Sequence, residues 1–145
     1  MKRYIQSSLS RKALFDPAST AYRARYTDDV NYLRELASRK TDVLREAVAK
    51  NSNCPVDILV QFLYDKNRYV RDSAFYQFEK LSDSERYRLY TAYPDNKRVA
   101  WVVFHMGSGS PQIAHEIAAK YGWNTYYSAD VGEYSSSHPR FNMFI

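Results

Sequence analysis

Apolar side chains return every three or four residues through most of this chain, the spacing of one face of an α-helix. In "CPVDILVQFL", Ile58, Leu59, Phe62 and Leu63 share a face behind Pro55. In "SPQIAHEIAAKYG", Pro111 opens a segment whose stripe is Ile113, Ile117 and Ala118. "SDSERYRLYTAY" starts with Ser82 and has Glu85 three residues on, a capping-box pattern. Arg86 and Arg88 interrupt its apolar face, leaving Leu89 and Tyr90 to pack. Asp28 or Asp29 is placed to cap a helix over "VNYLRELAS". The spacing predicts further helices over 42–50, 56–64, 68–81, 84–92, 96–105 and 111–121, with a short one near 8–15. The linkers "NSNC", "DKN", "YPD" and "MGSGS" are short, so consecutive helices should pack as antiparallel or steeply crossing neighbours. After residue 121 the helical period is lost and an aromatic segment follows, punctuated by small polar residues. It is expected to cap the last helix pair, anchored by Trp123, Phe141 and Phe144.

Two of the helical windows echo each other. "VLREAVA" at 43–49 aligns with "YVRDSAF" at 69–75: Leu44 with Val70, Arg45 with Arg71, Glu46 with Asp72 and Val48 with Ala74, at an offset of 26. A third window, "RVAWVVF" at 98–104, follows at an offset of 29 and replaces the charged pair by Ala100 and Trp101. Periods of this size point to stacked helical units. The unit resembles the leucine-rich-repeat variant family. In that family an asparagine-proline opening, a threonine-proline, a leucine-rich helix, an aspartate and a valine-arginine follow in order. Here Asn51 takes the opening asparagine, with Ser52 where the family has proline, and Cys54 and Pro55 fall on the threonine-proline. Ile58, Leu59, Phe62 and Leu63 fall on the leucine-rich helix, Asp65 on the aspartate, and Val70 and Arg71 on the valine-arginine. Asp95 and Val99 carry the same features further along, without the arginine. The resemblance covers residues 36–81 and extends faintly to about 120; HEAT-type repeats are the neighbouring possibility. It implies an all-α fold of stacked short helices, an α-solenoid. A described relative binds an iron–sulfur cluster through clustered N-terminal cysteines. This chain has no cysteine before Cys54, so the resemblance implies no cofactor.

Composition narrows the class. Four glycines and five prolines in 145 residues favour helix over turn-rich sheet, and a single cysteine forms no internal disulfide. No apolar run is long enough to span a bilayer, and the basic start "MKRYIQSSLSRKALF" lacks the apolar core of a secretory signal, so a cytoplasmic setting is expected. The net charge of +5 is unevenly placed. Residues 1–25 hold Lys2, Arg3, Arg11, Lys12, Arg23 and Arg25 against Asp16, whereas the remaining 120 residues hold fifteen basic and fifteen acidic side chains. The organisation expected is therefore a basic arm at 1–27, a helical-repeat domain at 28–121 and an aromatic-rich cap at 122–145. A basic arm is either a solvated terminus or a contact for an anionic partner.

Catalytic groupings are absent from the sequence. His105, His115, His138 and Cys54 lie on separate segments, which does not suit a metal site. "GSGS" at 107–110 follows a helix rather than a strand and lacks a phosphate-loop lysine, so it reads as a helix end and linker. "HEIAAK" has no second histidine at 119. The chain is expected to be no enzyme and to need no cofactor. Arg45 and Arg71 either bond carboxylates and helix ends in the adjacent repeat or, with Arg68, Arg98 and neighbouring lysines, form a basic stripe aimed at phosphates. Tyr69 and Tyr76 stand among fourteen tyrosines, more than a small core can bury. The first functional reading is a helical-repeat adaptor that binds another protein through a concave or aromatic-lined surface. The second is a nucleic-acid-binding module that uses Arg23, Arg25 and the repeat arginines. The third is a structural role in an assembly, of the kind a phage accessory protein has.

Overall fold

The computed structural model describes residues 11–107 and 110–123, together with the backbone of strands at 125–128 and 133–136. Eight α-helices fill the described residues: α1 (Thr20–Tyr26), α2 (Val30–Ala37), α3 (Asp42–Lys50), α4 (Val56–Phe62), α5 (Arg68–Glu79), α6 (Asp83–Ala92), α7 (Lys97–Met106) and α8 (Pro111–Tyr121). A 3₁₀ turn at Lys12–Phe15 precedes them, and two short strands, β1 (Thr125–Ser128) and β2 (Glu133–Ser136), follow as an antiparallel hairpin. The chain divides into two compact units, residues 1–77 and 78–145.

The helix starts carry the spacing seen in the sequence windows. Helices α3, α5 and α7 open at Asp42, Arg68 and Lys97, offsets of 26 and 29; α4, α6 and α8 open at Val56, Asp83 and Pro111. Each start has a local cause. The Asp29 carboxylate accepts from the backbone N–H groups of Asn31 and Tyr32 and so caps α2. Ser82 and Glu85 form the reciprocal capping box of α6. Asn67 and Asn96 cap α5 and α7 by accepting from Val70 and Val99; the neighbouring aspartates Asp65 and Asp95 serve other purposes. Gly107 (φ +98°) and Gly122 (φ +71°) end α7 and α8 in backbone conformations that a side chain would strain.

In the first unit α3 lies at the centre, packed against α1, α2, α4 and the 3₁₀ turn. Its Ala47, Val48 and Ala49 are buried with Leu33 and Leu36 of α2 and Ile58, Leu59 and Phe62 of α4. Small side chains on α3 let several neighbours approach one helix closely. Residues 11–27, expected as an arm, belong to this core. Leu14, Ala21 and Ala24 are buried where the 3₁₀ turn and α1 pack against α3, while Phe15 is exposed. The charges of this segment mask those apolar positions in the sequence. In the second unit α7 packs against α6 and α8 and buries Val99 through Phe104 without a break. A helix apolar on all sides is a central one. The β2 backbone runs beside α7 and α8. Trp123 is buried with its ring 5.4 Å from Phe104 and 5.0 Å from Tyr121; the expected anchors Phe141 and Phe144 lie outside the described residues.

One side chain joins α1 to α3. Asn51, 2% exposed at the end of α3, donates its amide to the carbonyls of Ala24 (2.8 Å) and Thr27 (2.7 Å). Its own oxygen accepts from Asn53 N–H at 2.7 Å. It thereby satisfies carbonyls at the α1 terminus that have no partner within that helix. Asn51→Ala should destabilise the protein by about 1–3 kcal/mol, the usual cost of leaving buried acceptors unmade. Asn51→Asp should cost at least as much, because it turns an oxygen toward two carbonyl oxygens. Urea unfolding of the three proteins measures both, and a loss confined to a few tenths of a kcal/mol would show that water serves those carbonyls equally well.

Candidate functional site

Arginine geometry separates the groups that hold the fold from those on display. Arg45 is 7% exposed. Its Nε and Nη2 grip the Asp65 carboxylate at 2.8 and 3.1 Å, and Nη1 donates to the carbonyls of Arg39 and Lys40 at 2.8 and 2.9 Å. Every nitrogen of this guanidinium is engaged inside the fold, with none left to meet a phosphate. Arg71, 26 residues later, donates Nη1 to the Asp65 carbonyl, six residues before it, as Arg45 does to Arg39. Its Nε is buried and has no hydrogen-bond partner. Asp65 thus joins both arginines, one through its carboxylate and one through its backbone.

The other residues of the expected stripe scatter. Arg68 is exposed, 3.6 Å from Asp72 on the same helix. Arg98 belongs to the second unit and is half-buried in the first turn of α7. Arg23 and Arg25 lie on α1. Arg23 stands 5.8 Å from the Tyr32 ring centroid, and Arg25 stands 5.9 Å from Phe15 and 5.3 Å from Tyr26.

The tyrosines expected at a binding surface stand in the open. Tyr69 and Tyr76 are 48% and 56% exposed. A separation of seven residues puts them on one face of α5, two turns apart. Their helix buries Val70, Ala74 and Phe75 on its other side. The Arg11 guanidinium sits 3.3 Å from the Tyr69 ring centroid and reaches the Glu46 carboxylate at 3.0 Å. Arg11 was absent from the sequence reading of the site, because a residue 35 positions from Glu46 gives no local signal of the pair. Arg86 was read there as an interruption of α6. It is buried, and its guanidinium donates to the carbonyls of Gly107, Phe78 and Leu81 and to Asp83. The helix tolerates it because those carbonyls supply in the interior what water supplies outside.

Burial pushes the Cys54 thiol up to about 12, far from a reactive thiolate. Burial also raises the Glu46 carboxyl above its ordinary value, with Arg11 and Lys50 drawing it back. The exposed Arg34–Asp57 pair, at 2.8 and 3.1 Å, holds the Asp57 carboxyl below the usual range and the guanidinium above its own. An open hollow of about 650 Å³ beside α6 and α8 is lined by Asp83, Tyr87, Ile113 and Glu116 among others. Among the described residues no three histidine, cysteine or carboxylate side chains converge as a metal site, and no helix is long and apolar enough to cross a membrane.

No protein-family model, curated protein or solved structure matches the chain. The surface is therefore read from its own chemistry.

Asp65→Ala should cost about 3–5 kcal/mol, because it leaves the buried Arg45 guanidinium uncompensated. Replacing both partners, as Arg45→Met with Asp65→Leu, should cost less than the single change. Urea unfolding of single and double variants tests this, and a double variant weaker than Asp65→Ala would refute it. Glu46 gives a pH signature. Its raised pKa means that the folded chain holds this proton more tightly than the unfolded chain. The contribution is full below the ordinary value near 4.5 and is lost as pH rises through the folded value. Unfolding free energies across that window should show this loss in the wild type and not in Glu46→Gln.

Proposed function

We propose that the chain is a non-enzymatic helical-repeat adaptor that binds another protein through the outward face of α5. The observation that carries this reading is the pair of half-exposed rings, Tyr69 and Tyr76, on one side of a helix anchored by its other side. Tyrosine suits such a surface because it offers a large apolar area and a polar tip with few rotatable bonds. Arg11, held by Glu46, braces the Tyr69 ring, so less side-chain freedom is lost on binding. The repeat itself is read as a leucine-rich-repeat-variant or HEAT-like unit, with the helix pairs α3–α4, α5–α6 and α7–α8 as successive copies. The recurring helix starts and the shared bond of Arg45 and Arg71 to a carbonyl six residues back support it. A cytoplasmic setting and the absence of a cofactor are part of the same proposal.

The test is nuclease-treated affinity capture with the wild-type chain and a Tyr69→Ser/Tyr76→Ser variant, compared by quantitative mass spectrometry. Both rings lie at the surface, so the variant should keep a melting curve close to wild type. A protein retained by the wild type should fall about tenfold or more in the variant, the effect expected of aromatic hot spots. An identical set of captured proteins in the two samples, or binding that disappears with nuclease alone, would overturn the reading.

A further inference from the structure

The most exposed aromatic ring among the described residues is not on α5. Phe15 is 72% exposed, and Tyr26, at 59%, is next. Both belong to residues 11–27, between the 3₁₀ turn and the end of α1. Arg25 stands within 6 Å of both ring centroids, at 5.9 Å from Phe15 and 5.3 Å from Tyr26. Tyr22 backs Tyr26 with ring centroids 4.7 Å apart. Arg23 and Lys12 are exposed on the same short segment. Its one acid, Asp16, turns its carboxylate to the backbone N–H of Ala18 at 3.0 Å. Arg11, the other cation here, is taken by Glu46 and Tyr69. Two exposed rings flank the half-exposed Arg25, with Lys12 and Arg23 exposed on the same segment, which the buried Leu14, Ala21 and Ala24 fix to the body.

We propose that this patch binds single-stranded nucleic acid, with bases stacking on Phe15 and Tyr26 and the backbone phosphates meeting Lys12, Arg23 and Arg25. The inference is independent of the adaptor reading, which concerns α5. Charge complementarity calls for an anionic chain, since the segment holds Lys12, Arg23 and Arg25 against Asp16 alone once Arg11 is paired with Glu46. The rings choose among polyanions. A duplex hides its base faces within its own stack and would leave Phe15 in water. A single strand offers free base faces at short intervals and joins them by phosphates, matching rings interleaved with cations. An acidic peptide would satisfy the cations and leave the rings without flat partners.

The experiment is fluorescence anisotropy on the full chain with a labelled twelve-nucleotide oligothymidylate, a duplex of equal length and a labelled oligoglutamate. The oligothymidylate should bind about tenfold or more tightly than either of the others at equal salt. Phe15→Leu and Tyr26→Leu should each weaken it about tenfold, whereas Phe15→Trp and Tyr26→Phe, which keep a flat ring, should stay near wild type. Arg25→Ala should weaken it and reduce the salt slope by about 0.7, one phosphate contact on a single strand. Circular dichroism and melting curves confirm that each variant is folded. Duplex or oligoglutamate binding as tight as that of the single strand would overturn the proposal. Leucine variants that bind like wild type would do so as well.

Discussion

Asp65 is the residue on which the first unit's geometry turns. Its carboxylate neutralises the buried Arg45 and accepts the backbone N–H of Asn67, and its carbonyl receives Arg71. Asn67, oriented in that turn, caps α5 with its oxygen and reaches back to Asp42 at the start of α3 with its amide. Three residues of the linker "DKN" and its neighbours therefore fix where α5 begins, how α3 begins and where two arginines point. Charge buried this way is costly unless every lone pair and donor is met. The cost is offset here because Arg45 also collects two carbonyls, so that four of its five N–H donors are met and all three nitrogens are engaged. The interaction specifies a geometry more than it adds stability, and the exposed face of α5 inherits that geometry.

The same logic shows where the echoing sequence windows part company. At an offset of 29, "YDKN" becomes "YPDN", so Pro94 stands where Asp65 stood and the aspartate slips to position 95. Asp95 then pairs with Lys120 of α8, which also donates to the Pro94 carbonyl. The asparagine keeps its place, and Asn96 caps α7 as Asn67 caps α5. Capping is a local requirement and survives the slip, whereas the arginine clamp depends on the position of one carboxylate and does not. The third window accordingly gives up its charged pair for Ala100 and Trp101, which are buried apolar positions of α7. Arg86 takes over the task of binding helix-end carbonyls in the second unit, from a different place in the sequence.

Legibility followed the same division between local and long-range causes. Helix positions could be read because their signals are local: the spacing of Ile58, Leu59, Phe62 and Leu63, the capping box at Ser82 and Glu85, and Pro111 at a helix start. The hairpin was not foreseen, since strands of four residues leave too short a pattern to stand out. Of the arm expected at 1–27, the described part, 11–27, packs against α3; its apolar positions are few and widely set among charges, so that contact left no sequence signal. For the candidate surface, Tyr69 and Tyr76 were legible from the crowding of rings on α5. Arg45 was legible as an arginine at a repeated position, yet whether it faces a phosphate or Asp65 depends on packing that sequence spacing does not encode. Phe15 and Tyr26 escaped notice because exposure of a ring has no sequence signature.

These residues also correct a simple use of net charge. The excess of +5 in residues 1–25 suggests a diffuse positive terminus. Within the described part of that segment, however, each cation has a distinct setting. Arg11 is an internal strut, paired to a buried carboxylate and laid on a ring. Arg25 stands beside two exposed rings, and Lys12 and Arg23 face solvent. Exposed charges separated from each other by more than a Debye length act independently in salt, whereas a charge fixed beside rings, as Arg25 is, acts on a ligand together with them. The burial of Leu14, Ala21 and Ala24 against α3 is what turns a basic sequence into an ordered surface. Apolar packing sets the geometry first, and the electrostatics takes its direction from it.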